Sequence, residues 1–324
     1  MISKFWLLFD AVYWIPSVFL YIFLLKAFIN ETKTRRPGQS FFKLITVLGI
    51  VDLSISTIVT LTLRLPLSPA TSGFVCSLNI PEFLTILHFI CYSFLGFQFF
   101  GNILIALNRF TAIVVATVHE KFWTCYLKKL IIFGFLFNFL IHFDLLIKKV
   151  RFDPIEAKNE SLCIWTDDDG SPKPTNSIRY GTIALISAFI CLILNLSSFL
   201  FFCYKKQKST VTRSSSNRSR KIETNLFFIS LIIFTFQILS AIFQLFINRL
   251  ILEKKFDSLS EVVLYVPWIV DLSSLSSPWI LVLVSRNVRK SLSRSTGSNS
   301  KSDSPSKQTQ MQLLQYSNNA VIKK

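Results

Sequence analysis

The apolar run "ILIAL" (Ile103–Leu107) stops on Asn108-Arg109-Phe110. A guanidinium at that point has two uses. It can lay its methylenes along apolar surface and hold its charge at a membrane edge, as Lys26, Lys128 and Lys129 are placed to do elsewhere. It can also pair with a carboxylate on a neighbouring element. Such a pair is either made or broken, which makes it a two-state element. Glu223, which opens a later apolar run, is the candidate partner, and an ordinary boundary carboxylate is its other reading.

Two further carboxylates lie inside apolar runs, where an ionisable group is costly. Asp52 is flanked by "TVLGIV" and "LSISTIV". With Asn102 and Ser274 it is a candidate for holding a sodium ion or for a polar hydrogen-bonding hub. Asp271 lies two helical turns before Pro278. It faces either a ligand or a hydroxyl such as Ser273 or Ser274. Catalysis has no constellation to use: HExxH, GxSxG and Walker patterns are missing, and the chain has three His. Six Cys occur without CxxC or His-spaced pairs, so neither a metal site nor a cofactor is implied.

The elements that carry these residues follow from solvent. Of 324 residues, 51% are hydrophobic and 16% charged, with 33 Phe against 9 Gly. A water-soluble fold has no surface for that many apolar side chains, so lipid is the solvent. A spanning helix needs roughly 20 apolar residues. Seven stretches qualify: Phe5–Phe28, Phe41–Leu63, Glu82–Leu107, Leu127–Ile147, Tyr180–Cys203, Ile222–Asn248 and Val262–Ser285. The first is too long for a signal peptide, and no small-residue cleavage site follows it. The expected fold class is an all-α membrane protein, a seven-helix bundle over residues 1–292. A Ser/Lys-rich disordered tail is expected over 293–324.

The net charge of +17 sits in short blocks between the apolar runs. That distribution fits cytoplasmic loops near lipid and argues against nucleic acid. "TKTRRPGQ" (Thr32–Gln39), "YKKQKSTVTRSSSNRSRK" (Tyr204–Lys221) and the tail after Ser285 are basic, and they alternate with mixed loops. The amino terminus is therefore expected outside and the carboxyl terminus in the cytoplasm. Asn159-Glu160-Ser161 then falls in the second outer loop as a glycosylation acceptor. Matches at Asn30, Asn195 and Asn217 should be silent. Cys76 and Cys163 share the outer side, where disulfides persist. A bridge would pin the loop over the bundle, but pairing does not follow from sequence. "SRNVRKSL" (Ser285–Leu292) suits a short amphipathic helix on the membrane surface. A ligand cavity would open among the outer-facing polar residues His88, Tyr92, Gln244, Tyr265 and Asp271, each of which has packing as its plainer role.

"LNRFTAIVV…HEKFW" (Leu107–Trp123) resembles the third-helix end and second inner loop of nematode serpentine chemoreceptors, class gamma, with class V a close second. "PSVFLYIFLL" (Pro16–Leu25) and "SFFKLITVLGIVDL" (Ser40–Leu53) resemble the family's first and second helices. "DLSSLSSPWILVLVSRNVRKSL" (Asp271–Leu292) resembles its seventh helix and the start of its tail. The resemblance implies a G-protein-coupled chemosensory receptor at a neuronal plasma membrane, in sensory cilia. Its partners would be an external small molecule and a heterotrimeric G protein. Asn108, Arg109, Glu223 and Pro278 would form its coupling switch. Three departures stand out. Asn108 replaces the more widespread acid before the Arg, Val115-Ala116-Thr117 lies where a proline is expected, and Ser277-Pro278 has no nearby Tyr. A retinal pigment would need a lysine in the seventh span, which has none. A transporter or channel subunit is the alternative. The segments carry no internal repeat, however, and their odd number does not halve. Nothing in the sequence supports dimerisation.

Overall fold

The computed structural model describes residues 2–33, 39–78, 80–157, 160–167, 175–208 and 213–284. Among them, seven helices are long and apolar enough to cross a membrane. The first span lies in α1 (Ile2–Lys33). The second is α2 (Gln39–Val59), extended by a π-helical turn over Thr60–Arg64. A short α3 (Ser72–Ser77) precedes the third span, α4 (Pro81–Val114). The fourth is α5 (Ala116–Ile141), the fifth α6 (Thr175–Lys208) and the sixth α7 (Arg213–Leu252). A short α8 (Phe256–Val263) leads into the seventh span, built from α9 (Val266–Ser274) and α10 (Ser276–Val284).

In lipid, every polar group must be satisfied within the protein. Hydroxyls on these helices fold back on the preceding turn: Thr46 onto the Phe42 carbonyl, Ser54 onto Ile50, Thr57 onto Leu53, Ser198 onto Leu194 and Thr235 onto Leu231. Such back-bonding lets Ser and Thr sit in a span without seeking an outside partner. The bundle is centred on α4, whose buried Phe97 and Phe99 belong to one core with Leu44, Ile55, Trp123, Tyr180 and Val270. Close approach of α4 and α5 depends on glycine. A Cβ at Gly96 would fall 2.2 Å from Asn138 Oδ1, and one at Gly134 would fall 2.4 Å from the Phe100 ring. Small residues allow this backbone proximity between spans.

Four features depart from the sequence reading. First, within this mostly helical bundle the loop after the fourth span forms an antiparallel hairpin. Strand β1 (Val150–Ala157) pairs with β2 (Glu160–Asp167), Val150 opposite Asp167 and Phe152 opposite Trp165. One face of it is apolar: Val150, Phe152 and Cys163 are buried with Leu84 of α4. Second, the fourth span ends at Ile141 rather than Ile147, and a 3-10 turn (Phe143–Leu146) follows. His142 is 2% exposed, and its Nδ1 bonds the Asn138 carbonyl at 2.8 Å. Asp144 takes a two-pronged contact from Arg179, at 2.6 and 2.8 Å.

Third, the expected second inner loop is helix. A single residue, Val115 (φ −125°, ψ 48°), separates α4 from α5. Trp123, fully buried, donates its Nε1–H to Thr111 Oγ1 at 2.8 Å, and His119 Nδ1 lies 3.0 Å from the same oxygen. A hydroxyl has one hydrogen to give, and Thr111 has carbonyls to take it at Leu107 (2.9 Å) and Asn108 (3.1 Å). Thr111 Oγ1 thus closes the elbow between the Trp123 indole and the His119 ring. Fourth, the seventh span breaks at Leu275. The Pro278 ring has no N–H for the Ser274 carbonyl and would clash with it in a continuous helix.

Candidate functional site: two polar centres and a cavity in the bundle

Polar side chains converge at the two ends of the bundle and at its middle. At one end, Arg109 is 9% exposed. Its Nη1 donates to Asn195 Oδ1 of α6 at 2.9 Å and to Ser230 Oγ of α7. One side chain thus ties the third span to the fifth and sixth. Beside it, Asn108 Nδ2 reaches Ser40 Oγ of α2 at 3.4 Å. Glu223 lies in α7, but its side chain is outside the described residues, so its pairing with Arg109 stays an expectation.

At the middle, Asp52 is 4% exposed and accepts from two donors. Tyr21 Oη of α1 donates to Oδ2, and Gln98 Nε2 of α4 donates to Oδ1. Gln98 Nε2 also bonds Ser274 Oγ at 3.1 Å. The hub therefore joins the first, second, third and seventh spans. Of the expected trio, Asp52 and Ser274 meet through Gln98, while Asn102 lines the cavity beside them. That cavity, of about 80 Å³, runs from Tyr21, Asp52 and Gln98 to Arg109 and Ser230, and Pro278 forms part of its wall.

The opposite end carries the hairpin. A disulfide joins Cys76 of α3 to Cys163 of β2, with Cα atoms 6.3 Å apart. Trp165 Nε1 donates to the Thr62 carbonyl, which the π-helical turn of the second span presents. The Trp165 ring stands edge-on to His88, centroids 4.4 Å apart, and His88 in turn leans on Tyr92 at 4.8 Å. His88 is buried, and neither ring nitrogen has a hydrogen-bond partner among the described residues. The same holds for both ends of the Gln237 amide and for the Ser240 hydroxyl on α7. Gln244 is half-buried, whereas Tyr265 is half-exposed. Of the five expected cavity residues, His88 meets the turn at Thr60–Arg64 through Trp165, and Asp271 meets it through Arg64. His88 and Tyr92 adjoin under the hairpin.

Asp271 corrects the sequence reading most. Its carboxylate is 1% exposed and forms an ion pair with Arg64, itself 7% exposed, at the end of the second span. Ser273, offered as its partner, instead donates to the Val270 carbonyl at 2.7 Å. A buried charge needs a close opposite charge, and the lone arginine in "LTLRLPL" was the available signal. Gln98 and Gln237 were also passed over, although an amide in an apolar span is itself a signal. Among the described residues, no group of His, Cys, Asp and Glu is arranged to hold a metal ion.

Seven membrane-capable helices, a lidding hairpin and a buried arginine at the far end of the third span narrow the family sharply. The family model "Srg family chemoreceptor" matches residues 7–292. The chain belongs to that family. The match supports the gamma class and gives no support to class V. No curated protein matches the chain. This Srg chemoreceptor is accordingly a multi-pass membrane protein of a receptor family rather than an enzyme family. The matched region takes in each of the polar centres described above.

Proposed function

We propose that this Srg chemoreceptor binds an external small molecule at its hairpin end and signals through a heterotrimeric G protein at its Arg109 end. The observation that carries this reading is the Arg109 junction. Its contacts to Asn195 and Ser230 are made by one buried guanidinium, and any outward swing of α7 must break the one to Ser230. A ligand that favours the swung state shifts the population by its differential affinity. Glu223 is a further partner for Arg109 at rest, and Pro278 gives the seventh span a point at which to bend.

Beneath the hairpin, His88 offers ring nitrogens that want a partner, and Tyr92 flanks it. Buried polar atoms in low dielectric are satisfied by water or by ligand, which supports a binding role for this face together with Gln244. Asp271 acts here as a strut for the second and seventh spans. Asp52, Gln98, Asn102 and Ser274 serve as a hydrogen-bonding hub. The orientation places the hairpin, its disulfide and Asn159 outside the cell, with the basic loops and tail in the cytoplasm. The plasma membrane, in sensory cilia, is the expected location.

The deciding experiment is agonist-driven nucleotide exchange on a reconstituted G protein. Arg109→Ala should abolish exchange while surface delivery persists, and unchanged exchange returns Arg109 to a membrane-edge cation. Solute flux or current without G protein would favour the transporter or channel alternative.

A further inference from the structure

We infer that the closed end of the bundle cavity is a binding subsite for an organic ammonium carrying a short apolar body. The cavity is closed around Tyr21, Asp52 and Gln98, all buried, and it reaches half-buried Phe41 and Leu281 near Arg109. Its closed end presents acceptors. Both Asp52 oxygens are engaged, one by Tyr21 Oη and one by Gln98 Nε2. Gln98 is 3% exposed and lines the cavity, and its Oε1 has no hydrogen-bond partner among the described residues. Ser273 also lines the cavity. Its hydrogen is committed to the Val270 carbonyl, so lone pairs are what it has left to offer.

An unpartnered buried acceptor beside a carboxyl group selects a donor that carries positive charge, and Asn102 and Arg109 add donors elsewhere on the lining. The walls decide which kind. Leu24, Phe28, Ile45, Leu48 and Ile105 line the space below the polar cap. A bare metal cation gives up its water only to a full set of oxygen ligands, and it has no use for the apolar wall that makes up most of this lining. An alkylammonium uses both parts, its head on Gln98 Oε1 next to Asp52 and its chain on the apolar wall. The 80 Å³ of space corresponds to roughly five to eight water-sized groups at ~10–15 Å³ each. n-Hexylammonium, with a single charged head and a six-carbon chain, is of that size. This site lies apart from the hairpin end and does not depend on the signalling reading, because its test needs no G protein.

The test uses the full chain in lipid nanodiscs and follows thermal unfolding by tryptophan fluorescence. The probes are n-hexylammonium, n-hexanol and n-hexanoate at matched concentrations, with sodium chloride against choline chloride as a separate arm. The expected result is a saturable rise in Tm with hexylammonium alone. Asp52→Asn should weaken the midpoint concentration by about tenfold or more, the worth of one charge-assisted contact. Leu281→Trp, which fills the wall and leaves the carboxylate in place, should remove the rise and decides the matter if Asp52→Asn does not fold. Four results overturn the proposal: no rise with hexylammonium, an equal rise with hexanol, a rise that survives Leu281→Trp, or a rise reproduced by sodium.

Discussion

Replacing Asp271 with Asn leaves the Arg64 guanidinium buried without its carboxylate. The two side chains are 1% and 7% exposed, so water cannot take over the lost contact. Breaking a buried pair from one side costs about 3–5 kcal/mol, much of it the penalty of the stranded charge. Arg64→Leu strands the carboxylate instead and should cost a similar amount. The double variant Arg64→Leu/Asp271→Leu strands neither. Replacing both partners with apolar residues is commonly neutral or better, so it should recover most of the loss. Part of the residual cost is the Arg64 Nη1 contact to Thr60 Oγ1 at 3.1 Å, worth about 1 kcal/mol. Denaturant unfolding of all four proteins in one nanodisc composition gives the coupling energy directly. Single losses under about 1 kcal/mol, or a double variant as poor as the sum of the singles, would refute the strut assigned to this pair.

Three further outcomes are expected. Gly96→Ala puts a Cβ 2.2 Å from Asn138 Oδ1; overpacking of this kind costs about 1–3 kcal/mol, read as a lower Tm, with Gly73→Ala, which meets nothing within 4 Å, as the control. Arg179 hydrogen bonds hold the Asp144 carboxyl below its ordinary range. Its folded pKa is thus lower than its unfolded one, and its stabilisation is present above ~4 and lost as pH falls below that. Asp144→Asn should flatten the Tm-against-pH curve there, by a small amount since the pair is partly exposed to screening. Finally, Cys163→Ser opens a covalent loop spanning a sequence separation of 87. A loss of about 2–4 kcal/mol is expected, and an unfolding midpoint that ignores added reductant would show that the bridge contributes nothing.

The spans were legible because lipid dictates them: length and apolarity are one-dimensional properties, and seven runs satisfy both. Arg109 was legible as a position but not as a contact. A charge suggested another charge, and the partners found are a hydroxyl and an amide, which look like ordinary span residues in the sequence. The Arg64–Asp271 pair lies 207 residues apart, and no local pattern links them. The hairpin left a faint trace, since Val150 and Phe152 turn inward while Arg151 and Asp153 form an ion pair outside. That alternation is brief, and Pro154 interrupts it. The cavity is the least legible feature, because it depends on how five spans lean together.

The one-residue elbow at Val115 leaves no slack between the third and fourth spans. Trp123 and His119 brace it through a single oxygen on Thr111. Where a mobile connection would dissipate a displacement of the third span, these two helices must pivot as one rigid bracket. Spin labels placed on either arm of that bracket should report a narrow spread of separations, and a protease added to the Arg109 end of the bundle should find no cut there.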